Sequence, residues 1–253
     1  MATPKTAQPR MPLADVMAAL EAAGTEQARK IYRRHGAREP VFGVQFAVLK
    51  TLYKRIGVDH ELAMALWQTG NFDARNLAVK VVNPALMTFE DLDAWGKDSS
   101  VAMVMAYVAH VAVESPHAQA LVASWLAAAS VDLRAAGWSL VAAMSQRDVQ
   151  TPDSWFVQRL TEIEAQIRTA PNAVRGPMNH ALITIGCRND ALRPVATATA
   201  QRIGPVEIDH GDTACETVEA APRIDKTWAH SLSKGFASPA AHERARESMR
   251  TRC

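Results

Sequence analysis

Hydrophobic and polar positions recur every three to four residues over most of this chain, and strand-like alternation is hard to find. The pattern is clearest from Leu66 to Val82, LWQTGNFDARNLAVKVV. A helix end with Leu66 and Trp67 meets the break Gln68-Thr69-Gly70. Asn71 then reads as an N-cap, because its side chain can accept from a free N–H of the next turn. Asp73 lies in that first turn, where the helix dipole favours negative charge. The second helix places Phe72, Leu77, Ala78, Val81 and Val82 on one side, with Arg75 and Lys80 between them. Two helices with one apolar face each cannot bury both faces alone, so neighbouring pairs must stack on them.

Further pairs follow the same punctuation. Gly24 closes a first helix and Thr25 caps a basic second one, which carries Arg29, Lys30, Arg33 and Arg34. Gly43 precedes a helix with Val48, Leu49, Leu52 and Ile56. Thr88-Phe-Glu-Asp reads as a cap with acids in the first turn, Glu90 taking the second position instead of the capping-box third. Gly96 reads as a break, after which Asp98, Ser99 and Ser100 are all credible caps for an apolar helix, Val101–Val113. Ser130 or Asp132, then Asp153 and Asn172, open later helices, and Ala191–Ile203 is the last in the series. About a dozen helices on short loops predict an all-α, HEAT-like helical-repeat solenoid, an α-α superhelix, over residues 12–203. Residues 1–11 are expected to be a disordered lead. Residues 204–253 form an irregular tail packing through Val206, Ile208 and Trp228, with Ser233–Cys253 a loose helix or disordered.

Composition narrows the reading only slightly. The 253 residues are 48% hydrophobic, enough for a substantial core, and 28 Lys and Arg face 26 Asp and Glu for a net charge of +2. A near-neutral sum neither suggests nor excludes nucleic acid, because local patches decide. Cys187, Cys215 and Cys253 are too few and scattered for a disulfide framework. Val101–Val113 is too short to span a membrane, and Met1–Pro12 lacks the apolar run of a signal peptide. A reduced, cytoplasmic setting is the simplest expectation. Asp209, His210, Asp212 and Cys215 match no zinc spacing, so no metal site is assigned.

Four segments then line up in order: Phe42-Gly43-Val44-Gln45, LWQTGNFDARNLA, Trp95 near Asp98, and Leu133-Arg134-Ala135-Ala136. Together they resemble the AlkD-type DNA alkylation-repair proteins over roughly residues 25–203. None of the four is specific alone; their joint order on a helical chain is. The resemblance implies a DNA glycosylase of stacked HEAT-like pairs, whose concave basic face holds duplex DNA and which excises N3- and N7-alkylpurines. It implies a monomer acting on alkylated double-stranded DNA, with no cofactor and no membrane. A cationic alkylpurine is a good leaving group, and a nearby carboxylate can stabilise the oxocarbenium-like sugar or orient the water.

By the same resemblance, Trp95 falls at a sugar-contacting tryptophan and Arg134 at a phosphate-binding arginine. Gln45 falls at a polar residue near the lesion, and His180 near a second lesion-side tryptophan. Ser99 occupies the position of the catalytic aspartate, and Asp98 lies one residue before it. Asp98, Trp95 and Ser99 are therefore the catalytic candidates, with Arg134, Gln45, Arg75, Lys80, Arg175 and His180 as nucleic-acid contacts. Plainer roles stand beside these: Asp98 as a cap, Trp95 and Trp138 as core, Arg134 as a solvated arginine, His180 as a hydrogen-bonded core residue. At the level of function, two alternatives stand beside excision. One is a non-catalytic binder of damaged or branched DNA; the other is a helical-repeat scaffold for a protein partner.

Overall fold

The computed structural model describes residues 10–99 and 102–252. Residues 1–9 of the expected lead, the Ser100 cap candidate, Val101 and Cys253 lie outside them. The described residues are helical, with one isolated bridge, Gly24 to Val44, and no strand. They form two compact units, one ending at Asn83 and the other running from Pro84 to Arg252.

The first unit contains α1 (Leu13–Ala22), α2 (Glu26–Arg34), α3 (Phe46–Ile56), α4 (His60–Gln68) and α5 (Phe72–Val81). Side-chain caps fix where three of them begin: Thr25 accepts from Ala28 N–H, Asp59 from Leu62 and Asn71 from Ala74. Such caps contribute about 1 kcal/mol each. Helix α5 is the centre of this unit, packing on α4, α3 and α1. Its Asp73 does more than complement a dipole. The buried carboxylate accepts N–H groups from Phe42 at 2.7 Å, Gly43 at 3.1 Å and Val44 at 2.8 Å. The same loop is held from α2, where Arg29 Nε donates to the Val41 carbonyl and Tyr32 Oη to that of Val44. Gly43 adopts a positive φ of 81°, and a Cβ there would sit 2.4 Å from the Thr25 carbonyl oxygen. Only glycine satisfies both demands.

The second unit contains α6 (Phe89–Asp98), α7 (Ala102–Val113), α8 (Ala118–Leu126), α9 (Val131–Arg147), α10 (Asp153–Gln166), α11 (Asn172–Gly186), α12 (Leu192–Ile203), α13 (Ala220–Ser233) and α14 (Pro239–Arg244). Helices α7, α9 and α11 lie side by side as one layer, with α8 packed on α9 and with α10 and α12 on α11. Two expectations at α6 need correction. Its start is a complete capping box, because Asp91 rather than Glu90 returns to the Thr88 backbone. Gly96 does not break the helix. A Cβ there would lie 2.7 Å from Trp125 Cζ2, so glycine serves close packing and α6 continues to Asp98.

The tail is more ordered than its sequence suggested. Trp228 on α13 is buried and donates its indole N–H to the Gly186 carbonyl at 2.8 Å. Beyond α13 a strap of α14 and a 3-10 turn, Met249–Thr251, crosses the carboxyl ends of α11, α9 and α7. Ala240 N–H donates to Cys187 O, Arg147 to the Glu243 carbonyl, and Arg250 pairs with Glu114 at 2.9 Å. No helix of the described residues is long and apolar enough to cross a membrane.

Candidate nucleic-acid interface

Within the first unit the expected contacts have different fates. Gln45 stands at the N-cap position of α3, exposed and without a side-chain cap bond. Arg75 is half-buried; its guanidinium lies over the Trp67 ring at 4.9 Å, and its Nε donates to the Trp67 carbonyl. Lys80 is fully buried, with its ammonium 6.0 Å from the centre of the Phe46 ring. The long aliphatic stem of Lys80 fills core space on the interior side of α5.

In the second unit the catalytic candidates gather at the end of α6. Trp95 is 2% exposed and its ring belongs to the core. Asp98 is the last residue of α6, exposed, and not the cap of the helix that follows. A carboxylate at that end opposes the helix dipole instead of complementing it. Ser99 is the C-cap: it is buried, and its hydroxyl donates to the Gly96 carbonyl at 3.0 Å. Lys97 reaches Asp93 at 2.5 Å instead of Asp98, and Asp93 also accepts the Trp125 indole N–H at 3.0 Å. The Asp93 carboxylate of the Trp95 helix is therefore bound into a structural pair.

Arg134, half-buried, donates to the Ala128 carbonyl at 3.4 Å and borders a cavity of about 270 Å³ with Trp138, Glu162 and Gln166. Trp138 itself is core, 4% exposed. Arg175 is not a free cation. Its three guanidinium nitrogens donate to the carbonyls of Ala170, Glu207 and Arg168, which pins the start of the tail to α11. His180 is exposed on a cleft between α11 and the tail. Desolvation by the protein around it, and then the Arg223 charge, lower its pKa.

The strap supplies cations that periodicity did not single out. Arg244 and Arg246 are exposed there beside Arg147 and Arg188. Arg244 donates to the Gln146 carbonyl at 3.1 Å, and its pKa is lowered by burial, then by the Arg188 and Arg147 charges. Like charges crowded this way favour an anion. Arg188 itself is occupied, pairing with Asp153 at 3.3 Å and donating to the carbonyls of Asp148 and Thr151. The sequence signal was the arginine spacing in Arg244, Arg246, Arg250 and Arg252, in a stretch without helical periodicity. Among the described residues no group of three His, Cys, Asp or Glu is placed to share a metal ion.

Helices α7, α9 and α11 in one layer, with α8, α10 and α12 packed against them, are the arrangement of a HEAT-like repeat protein. The chain belongs to the family described as DNA alkylation repair enzyme, which matches residues 16–198. It is 26% identical to Lmo0209 of Listeria monocytogenes, an uncharacterised protein, over 82% of this chain and 93% of that one. Lin0241 of Listeria innocua, also uncharacterised, is 25% identical over the same shares. A solved structure superposes with a TM-score of 0.79 at 31% identity, covering 89% of this chain and 95% of the other. It is described as one of a new family of proteins related to the HEAT-like repeat DNA glycosylases, with affinity for branched DNA structures.

Proposed function

We propose that this protein binds DNA, with a preference for branched forms, through backbone contacts made by Arg134, Arg244 and Arg246 of the second unit, and that it does not excise bases. The observation that carries the second half is the end of α6. Trp95 is sealed in the core and the Ser99 hydroxyl is committed to Gly96, so neither a sugar-stacking ring nor a carboxylate stands at that position. The binding half rests on the clustered strap arginines and on the affinity described for the structural relative.

A second reading has one observation in its favour: the Asp98 carboxylate is exposed one residue from the position of the missing aspartate. In that reading Asp98 stabilises the oxocarbenium-like sugar of an alkylated nucleotide. One set of measurements separates the two. Fluorescence anisotropy on a fully paired three-way junction and on linear duplex is run beside an assay for 7-methylguanine release. We expect tighter binding to the junction, no release by wild type, and unchanged binding by Asp98→Asn. Release by wild type that Asp98→Asn abolishes would establish the glycosylase reading instead.

A further inference from the structure

A cavity of about 410 Å³ lies within the second unit between α11, the segment after α12, α13 and the strap. That volume falls in the range of about 300–1,000 Å³ usual for small-ligand sites. Its walls are of two kinds. Ile183 from α11 and Ile208 and Val218 from the tail segment give it apolar sides. Its rim is cationic or titratable: Arg223, Arg246, His180 and His230 are all exposed on it. Glu243, the carboxylate among the lining residues, is already engaged by Arg252 and lies 3.9 Å from Arg246.

Two further features define the guest. His242 lines the cleft and stacks with Phe236, at 4.2 Å and 9°, and with His230, at 5.7 Å and 29°. Rings already stacked on a cleft wall give a planar base a surface to continue on. Asn179 is 5% exposed and fixed by its Nδ2, which donates to the Val218 carbonyl at 2.8 Å. Its Oδ1 is buried without a partner, and because the nitrogen must face Val218 the amide cannot turn to hide the acceptor. A buried unpartnered acceptor costs about 1–3 kcal/mol, which a donor on a ligand recovers. The cleft thiol is no reactive centre, since burial pushes Cys187 up to about 12. The three histidines do not form a metal group.

A bare inorganic anion would leave the apolar slot empty, and an apolar ligand would leave the cationic rim unmatched. We infer that the cleft receives one unpaired nucleotide of the bound DNA: its base enters between Ile183 and the tail segment with a donor edge toward Asn179, and its phosphate meets Arg223 and His180. This inference rests on the DNA-binding reading above.

The test uses the full chain and two cleft variants. Ile208→Trp fills the slot, and Arg223→Glu reverses an exposed rim charge. Anisotropy compares the fully paired junction with the same junction carrying a three-nucleotide dC flap. Calorimetric titration follows deoxycytidine monophosphate, with inorganic phosphate as the control. We expect wild type to bind the flapped junction about tenfold tighter than the paired one, and to bind the nucleotide more tightly than phosphate. Both variants should lose these two differences and keep their affinity for the paired junction. A flap preference that survives both substitutions overturns the inference. Nucleotide binding without flap preference overturns it too, in favour of a free nucleotide as the guest. Failure to bind either junction or duplex would instead strike the DNA-binding reading, while the nucleotide titration still reports on the cleft. Should Ile208→Trp not fold by circular dichroism, Arg223→Glu decides alone.

Discussion

Asp73 shows how much a single side chain can do in a small helical unit. Three backbone N–H groups converge on a carboxylate that is 1% exposed. Asp73→Ala leaves all three without an acceptor, and we expect a loss of about 3 kcal/mol in the unfolding free energy. Urea denaturation measures it. In the second unit His110 is buried on α7 with Nδ1 unpartnered, and its pKa is depressed to about 3, first by burial and then by Arg147 and Arg252. The unfolded chain therefore takes up this proton first. The stability held above pH 6.5 drains away as pH falls from 6.5 toward 3. His110→Leu removes that titration, and its urea midpoint should vary less with pH over this interval than the wild-type midpoint does.

At the scale of the element, capping chemistry was legible and close packing was not. Thr25, Asn71 and Ser130 cap the helices their positions suggested, because a cap is a local contact between neighbours in sequence. Gly96 carries no such local mark. It looked like a stop, yet it is where α6 passes Trp125 and Leu133, residues about 30 and 37 positions away. Reading it as a stop put Asp98 at the start of a helix, when it is the last residue of α6. Gly96→Ala tests the point: alanine is the better helix former by roughly 1 kcal/mol. The clash with Trp125 should nevertheless lower the melting temperature, at about 1–3 kcal/mol for overpacking. A rise in melting temperature would mean that the contact yields. The burial of Lys80 and the engagement of Arg175 were hidden for the same reason, since their partners or surroundings come from other elements. The strap was hidden because hydrogen bonds and ion pairs to helix ends leave no periodic trace.

For the whole molecule, a net charge of +2 cannot by itself hold a polyanion. In the proposed binding mode affinity comes from local arginines, and its three phosphate contacts predict a slope of about −3 for log affinity against log salt. Arg246→Gln should reduce that slope by about 1 and weaken paired junctions of different sequence alike. A flat salt response would exclude the arginine cluster as the binding surface. The all-α class and the family were readable because both follow from repeated local pattern and segment order. The cleft was not, since its lining comes from α9, α11, the segment after α12, α13 and the strap.

The carboxylate of Asp73 ties two of the four segments that first suggested a relationship to each other. Phe42-Gly43-Val44 and the Asp73 within NFDAR are the two halves of one joint. Words shared across distant relatives are easily taken for the vocabulary of catalysis. These two describe masonry. A search keyed to them would gather chains by how their first helices are mortared together, enzymes and non-enzymes alike.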